Sequence, residues 1–345
     1  VLSWLETTFY YRRAQSKPDQ YDFENLRERV RQTLESLVAR GFVQMGEDLS
    51  VNGTPLGRLA SKYYLRLETA ERFHDLCERE TISADGILET VAGAEEFHSV
   101  SARQSEADAV DAVLSDVSTG LEDGPRKVLA ILHAGMQNST PADLRSDAWI
   151  IRQNALRLLS ALREFLAEFA GPRAANLALR VEARVEHGVP RDAVGLTAVD
   201  GIGPNRARTL ATGGLHSPAD VVDAGAEELQ RAGLSAGVAD RIVENARSFP
   251  AIDVSWGSFP DSIAPGANEM CDVTVRNAGG GAAVGIRVTV NDVEMTTKEA
   301  YLSDSLTVPV GVFGANADEL DFTVEVTFPG EPLHPVTASR TVEIE

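Results

Sequence analysis

The chain has 345 residues, 43% of them hydrophobic, and carries 52 acidic against 32 basic side chains for a formal net charge of −20. That is enough apolar material for cores in two to four domains of ordinary size, about 100 to 200 residues each, and no run approaches the roughly 18 to 20 apolar residues of a membrane span. The N-terminus lacks a basic segment followed by an apolar one and a cleavage site, and the two cysteines, Cys77 and Cys271, fall in segments of different character, which excludes a disulfide framework and a paired-cysteine metal site and leaves buried thiols. The expectation is a soluble, cytoplasmic protein.

An acid excess normally argues against a polyanionic partner. Here the only lysines are Lys17, Lys62, Lys127 and Lys298, so nearly all the positive charge is arginine, and the acids are dispersed rather than gathered into a tail. That composition resembles cytoplasmic proteins of salt-accumulating archaea. In molar salt the Debye length is only about 3 Å, so repulsion from surface acids fades and short-range donors decide binding.

In chain order, residues 23 to 40 place Leu26, Val30, Leu34, Leu37 and Val38 at helical spacing and stop at Gly41, where glycine takes the left-handed conformation that ends a helix. Phe42-Val43-Gln44-Met45, then Leu49-Ser50-Val51 before Asn52-Gly53, predict a small hairpin wing. Residues 66 to about 190 read as helices joined by short loops, with Ser83 and Asp143 as candidate caps and Gly171-Pro172 as a break. A helix from about Asp147 to Phe169 turns Ile151, Ala155, Leu158, Leu162, Phe165, Leu166 and Phe169 inward. Its other side carries Trp149, Gln153, Leu156, Arg157 and Ser160, with Arg152 at the margin.

After Pro250 the pattern becomes an alternation. Asp272-Val-Thr-Val-Arg-Asn277, Val284-Gly-Ile-Arg-Val-Thr-Val290 and Phe322-Thr-Val-Glu-Val-Thr-Phe328 predict a β-sandwich of about 95 residues. Asn277-Ala-Gly-Gly-Gly281 reads as a turn between two of its strands, because without a following Lys and Ser/Thr it makes no phosphate loop.

Several stretches carry a family resemblance. Thr54-Pro-Leu-Gly-Arg-Leu-Ala-Ser-Lys-Tyr-Tyr-Leu65 resembles the end of the winged helix of Ski-two-like superfamily-two helicases, the group of archaeal fork-repair helicases and the large spliceosomal unwinding helicase. Leu5-Glu-Thr-Thr-Phe-Tyr-Tyr11 resembles the helix before that wing. Ile87-Leu88, Glu96-Phe97, Arg103 and Glu106 resemble the helical unit this family shares with a Sec-translocon component, and Asp147, Ile151, Gln153-Asn154-Ala155 and Arg157-Leu158 resemble the start of its long central helix. The matches follow one another in order through about the first 250 residues.

Ala198-Val-Asp-Gly-Ile-Gly-Pro-Asn-Arg-Ala-Arg-Thr-Leu210 resembles the helix-hairpin-helix element of many DNA-binding proteins. Gly201 and Gly203 allow a tight turn that presents backbone amides, with that of Asn205, near a helix N-terminus, where a phosphate can approach. Ile202 plugs the gap between the helices, Ala207 and Leu210 pack inward, and Arg206 and Arg208 are candidate phosphate contacts. A degenerate second copy follows at Leu234-Ser-Ala-Gly-Val-Ala-Asp-Arg-Ile-Val243. Uncharged amide donors tolerate an acidic surface and strong salt better than a lysine patch does. The alternative is that the element is architectural, packing the helical unit against the sandwich.

Taken together, these resemblances imply a multidomain α-then-β chain. It would comprise a winged helix (1–65), a helical unit (66–190) with a ratchet helix at 147–169, a tandem helix-hairpin-helix domain (191–249), and an immunoglobulin- or fibronectin-like β-sandwich (250–345). They imply a parent ATP-dependent helicase whose motor domains bind ATP and Mg, while this part has no cofactor or metal and guides an unwound single strand from single-stranded or forked DNA or RNA. In such helicases the long helix stacks aromatic or arginine side chains on bases. Trp149 and Arg157, flanked by Arg152 and Gln153, have that chemistry, although Trp149 lies near the helix start and burial against a neighbouring helix is an open alternative.

Weaker candidates add little. His74 and Cys77 share a helical face but are too few for a metal site, and acid pairs such as Glu95-Glu96 suit solvated faces. No Gly-x-x-x-x-Gly-Lys-Ser/Thr is present, and Ala317-Asp-Glu-Leu320 falls in the sandwich region. A stand-alone enzyme is therefore a poor reading. The rival to strand guidance is a protein-interaction platform, with regulatory proteins meeting the β-sandwich. Val1 opens inside what resembles a motor-adjacent helix and is expected to be a cut.

Overall fold

The computed structural model describes residues 5–21, 23–47, 50–314 and 318–345. The chain divides into two compact units, one ending at His74 and the other spanning Asp75–Glu345. Helices occupy the chain as far as Ala246, and strands occupy it from Ile252 onward, apart from one short hairpin in the first unit.

In the first unit, Thr8 accepts a hydrogen bond from the Tyr11 amide at 3.2 Å and starts the helix Phe9–Ser16, so the predicted run Leu5–Tyr11 is divided at that cap. Helix Leu26–Ala39 stops at Gly41 as predicted. With φ at +76°, Gly41 donates to the Val38 carbonyl at 3.0 Å while Phe42 donates to Leu37 at 2.9 Å, the paired bonds of a Schellman motif. Strands β1 (Val43–Met45) and β2 (Val51–Gly53) pair antiparallel with Met45 opposite Val51; Leu49 of the predicted hairpin lies outside the described residues.

Thr54 then caps helix Pro55–Lys62 through the Gly57 amide at 3.1 Å. A Cβ on Gly57 would sit 1.9 Å from the Phe42 carbonyl oxygen, so glycine is what lets this helix press on the hairpin backbone. Arg40 joins the end of helix Leu26–Ala39 to Glu71 at 2.6 Å and Glu68 at 3.1 Å.

In the second unit, Ser83 caps helix Ala84–Ala92 by accepting from Gly86 at 3.0 Å. Asp143 does not act as a cap. It lies in a 3-10 turn, Ala142–Leu144, from which the 25-residue helix Arg145–Phe169 continues without a side-chain cap. Ile151, Ala155, Leu158, Leu162, Phe165 and Leu166 are buried as predicted, Leu159 and Ala161 join them, and Phe169 is only half-buried. Gly171, at φ +84°, turns the chain and Pro172 opens helix Pro172–His187, which packs back along the long helix.

Helix Pro172–His187 also meets the strands. The side-chain amide of Asn176, fully buried, donates to the carbonyls of Phe328 at 2.8 Å and of Glu331 and Leu333 at 3.1 Å. Pro172 lies against Gly285, where a Cβ would come within 2.5 Å of its ring.

The strands form two facing sheets. β4 (Ser262–Ile263), β10 (Val336–Ile344), β9 (Glu319–Thr327), β6 (Ala282–Val290) and β7 (Val293–Leu302) lie in that order in one, and β3 (Ile252–Trp256), β5 (Asn268–Asn277) and β8 (Ser305–Phe313) in the other. Pairing is antiparallel except between β4 and β10. Alternate residues such as Cys271, Val273 and Val275 on β5 and Leu320, Phe322, Val324 and Val326 on β9 point into one shared core, which the period-two pattern of these runs requires.

The glycine run between β5 and β6 is a turn with a packing duty. A Cβ on Gly280 would lie 1.8 Å from the Ser248 carbonyl oxygen and one on Gly279 2.2 Å from that of Phe249. Buried Asn277 secures the junction, accepting from the amides of Ala251 and Gly279 and donating to the carbonyls of Gly280 and Leu302.

Candidate nucleic-acid interface

The hairpin turns between a 3-10 helix, Arg191–Ala198, and the α-helix Pro204–Thr212. Gly201 adopts φ +94°, a conformation that side chains disfavour, and a Cβ there would also press on Ile242 at 3.2 Å. Ile202 donates to the Val199 carbonyl at 3.0 Å and buries its side chain with Ala207 and Leu210 in one core. Gly203 is the N-cap in ordinary extended backbone, is exposed, and has nothing within 4 Å of its Cβ position. Pro204 lacks an N–H, so the amides of Gly203, Asn205 and Arg206 are the donors that helix geometry leaves without intrahelical carbonyls.

The arginines are placed differently from expectation. Arg206 donates to the Gly201 carbonyl at 2.6 Å, bracing its own loop. Arg208 is half-buried and donates to Asn205 at 2.9 Å and to the carbonyl of Gly188, the left-handed residue that ends helix Pro172–His187. Both guanidinium groups are thus engaged with the hairpin and its support. Asn245 adds a further brace, donating to the Asp200 carbonyl at 2.9 Å.

The second copy repeats the first at a constant spacing of residues and includes Gly233, just before the stretch Leu234–Val243. Gly233, at φ +96°, matches Gly201; Leu234 matches Ile202; Ser235, an N-cap, matches Gly203; Ala239 and Ile242, fully buried, match Ala207 and Leu210. Helix Pro218–Arg231, which leads into this copy, carries a non-helical Gly225.

On the long helix, Trp149 is 68% exposed, so it is not buried against a neighbour. Gln153 and Arg157 are exposed on the same stripe at four-residue steps, Arg152 and Leu156 are half-buried beside them, and Arg157 bonds Asn154 at 3.1 Å. Ile150, 64% exposed, widens the apolar end of this stripe and was missed by a pattern that sorted residues into faces. Because helix Pro172–His187 folds back along the long helix after a two-residue turn, Gly188 and the hairpin tied to it lie toward the end of this pair where Trp149 sits.

A buried ion network fixes the start of the long helix. Lys127, 1% exposed, meets Glu106 at 2.8 Å and Asp147 at 2.5 Å, and Arg103 reaches Glu106 at 3.2 Å. Burial pushes Glu106 up, but hydrogen bonds from Lys127 and the Arg103 amide outweigh it and hold the carboxyl below its usual range. Asp147 is likewise lowered, first by Lys127. Arg103, Glu106 and Asp147, noted in the sequence as separate points of resemblance, therefore belong to one cluster. Lys127 was the unrecognised member, and its rarity as one of four lysines was the available signal. Both cysteines are buried, and burial pushes Cys77 up to about 12.

The helices thus support a braced hairpin and an exposed aromatic-arginine stripe and join a β-sandwich. The profile of the Sec63 Brl domain matches residues 53–338, and the chain belongs to that family, a module found in superfamily-two helicases of the Ski-two-like branch. Relatives include the DExH-box ATP-dependent RNA helicase DExH12 of Arabidopsis thaliana, 27% identical over 55% of this chain. Two others are the activating signal cointegrator 1 complex subunit 3-like protein of Dictyostelium discoideum, 26% identical over 74% of the chain, and the human activating signal cointegrator 1 complex subunit 3, 27% identical over 48%. The chain spans only 9%, 12% and 8% of those relatives' lengths, respectively. Among the described residues no helix is long and apolar enough to cross a membrane.

Proposed function

We propose that this chain is the strand-contacting, non-catalytic part of an ATP-dependent helicase, and that it guides a single strand of DNA or RNA leaving the motor. In this reading the first unit acts as a winged helix, the long helix as a ratchet, the two hairpins as a helix-hairpin-helix pair, and the strands as an immunoglobulin-like sandwich. ATP and Mg belong to motor domains outside the chain.

The observation that carries the proposal is the hairpin's N-terminal turn. Gly203 leaves open space in front of uncommitted helix-start amides, which suits a phosphate oxygen. The exposed Trp149, Gln153 and Arg157 stripe supports it, since stacking on bases needs accessible flat groups. The rival reading, a protein-interaction platform, draws on Met270 at 71% and Phe313 at 49% exposure, both toward one end of the β5–β8 pair.

Titrating fluorescent single-stranded, forked and duplex DNA and RNA in concentrated potassium chloride tests the proposal. Preferential binding of single-stranded or forked substrates is the expected result, and no binding to any of them would transfer the function to the rival. The isolated chain should show no nucleic-acid-stimulated ATPase, and turnover in a clean preparation would contradict its non-catalytic assignment. We also propose that the dispersed acids adapt the chain to strong salt. Its melting midpoint should then rise with potassium chloride, and a flat response would remove that argument.

A further inference from the structure

Two neighbouring clefts in the Asp75–Glu345 unit, of about 440 and 370 Å³, are both lined by Leu177, Arg180 and Arg191. Arg173 lines one of them, and Arg184 and His334 line the other. Such a gathering of guanidinium groups runs against the average field of a chain with net charge −20. Arg191 opens the 3-10 helix that leads into the hairpin, but neither the hairpin turn nor the long-helix stripe lines either cleft.

Arg180 is 8% exposed. It donates from Nη1 to Nδ1 of His334 at 3.0 Å, and Nε2 of the same ring donates to the Arg191 carbonyl at 2.8 Å. Nδ1 must offer its lone pair to the guanidinium, so the ring is the neutral Nε2–H tautomer. A neutral imidazole orients Arg180 without balancing its charge. Burial, with Arg191, Arg184 and Arg173 nearby and Glu325 opposing, pulls the Arg180 pKa down to about 10.

The Nε atoms of Arg180 and Arg184 are buried with no acceptor among the described residues. Of the carboxylates nearby, Glu325 pairs with Arg173 at 2.9 Å, while Glu80 and Asp85 line the clefts without reaching either buried Nε. Buried donors carrying uncompensated charge destabilise a fold unless acceptors reach them. Guanidinium forks match the spacing of phosphate oxygens, which accept two parallel hydrogen bonds.

We propose that Arg180, Arg184 and Arg191 form a phosphate-binding site where helix Pro172–His187 meets the β-sandwich. The group recognised is a phosphate dianion, either free or carried on a nucleotide.

Calorimetric titration of the whole chain at constant ionic strength tests this, using potassium phosphate in one arm and adenosine 5′-monophosphate in the other, with adenosine and chloride as controls. Saturable binding in either phosphate arm is expected. Phosphate alone binding assigns a free anion, and tighter nucleotide binding assigns a nucleotide-borne group. Arg184→Gln and Arg191→Gln should each weaken binding about tenfold or more, the loss of a charge-assisted hydrogen bond. Arg191 is exposed, so its variant keeps the test readable even if Arg180→Gln fails to fold. No saturable binding in either arm, or unchanged affinity in both the Arg184 and Arg191 variants, overturns the proposal.

Discussion

The two hairpins share a backbone and differ in what that backbone presents. Gly201 and Gly233 adopt φ +94° and +96°, and each is followed by an apolar residue and an N-cap, with buried residues at matching positions of the next helix. At the turn itself the first copy has Gly203-Pro204-Asn205-Arg206, and the second has Ser235-Ala236-Gly237-Val238. The first loop is also braced by Arg206 and by Asn245 from the second copy's helix. The common part therefore serves packing, while the open glycine cap and braced loop distinguish the first copy, the one proposed to meet a phosphate.

The largest expected effect lies outside both hairpins, at the ion network that fixes the start of the long helix. Lys127→Met leaves Glu106 buried and opposed only by Arg103, and should cost about 3 kcal/mol or more in denaturant unfolding. Adding Glu106→Gln should recover part of that loss; a neutral single variant would remove the network's structural role.

Next come the paired glycines. Gly201→Ala and Gly233→Ala each force a side chain into a left-handed conformation, costing about 1 to 3 kcal/mol. The Gly201 variant should melt lower because its Cβ also presses on Ile242 at 3.2 Å, whereas nothing lies within 4 Å of that on Gly233. Equal losses would mean that Ile242 yields freely.

A smaller, graded effect concerns pH. Burial lowers the pKa of His133 and of His334, with Arg184 near the first and Arg180, Arg191 and His216 near the second adding to it, while Asp85 and the Arg191 carbonyl oppose. With folded values below the unfolded value of about 6.5, the unfolded chain takes up protons first as pH falls. Stability from these residues is thus present above that value and lost as pH drops through and below it. Melting midpoints from pH 7.5 to 5 should fall and flatten in His334→Gln with His133→Gln; an identical slope in that variant would contradict the assignment.

Much of this organisation was legible because it follows short-range rules. Gly41 ended its helix, Ser83 capped one, Gly171-Pro172 broke one, and period-two alternation marked β5, β6 and β9, since each depends on local backbone chemistry. Asp143 failed as a cap because a 3-10 turn carries the chain into the long helix before a side-chain cap forms.

The candidate site was legible as residue types but not as arrangements. Ile202, Ala207 and Leu210 were placed correctly by spacing. The engagement of Arg208 with Gly188, of Asn245 with Asp200, and of Lys127 with Glu106 joins residues 20 to 45 positions apart, which periodicity does not encode. Gly233 was overlooked because the second copy lacks the second glycine that makes the first conspicuous.

The most direct test of strand contact through the first hairpin compares Gly203→Val with Ser235→Val in fluorescence anisotropy titrations of labelled single-stranded DNA and RNA. Both N-caps have extended backbone, so both variants should remain folded, losing about 1 kcal/mol or less from a poorer cap. Gly203→Val should bind about tenfold more weakly, because its side chain occupies the phosphate's approach, while Ser235→Val binds as the parent does. Equal binding by parent and both folded variants would contradict the account.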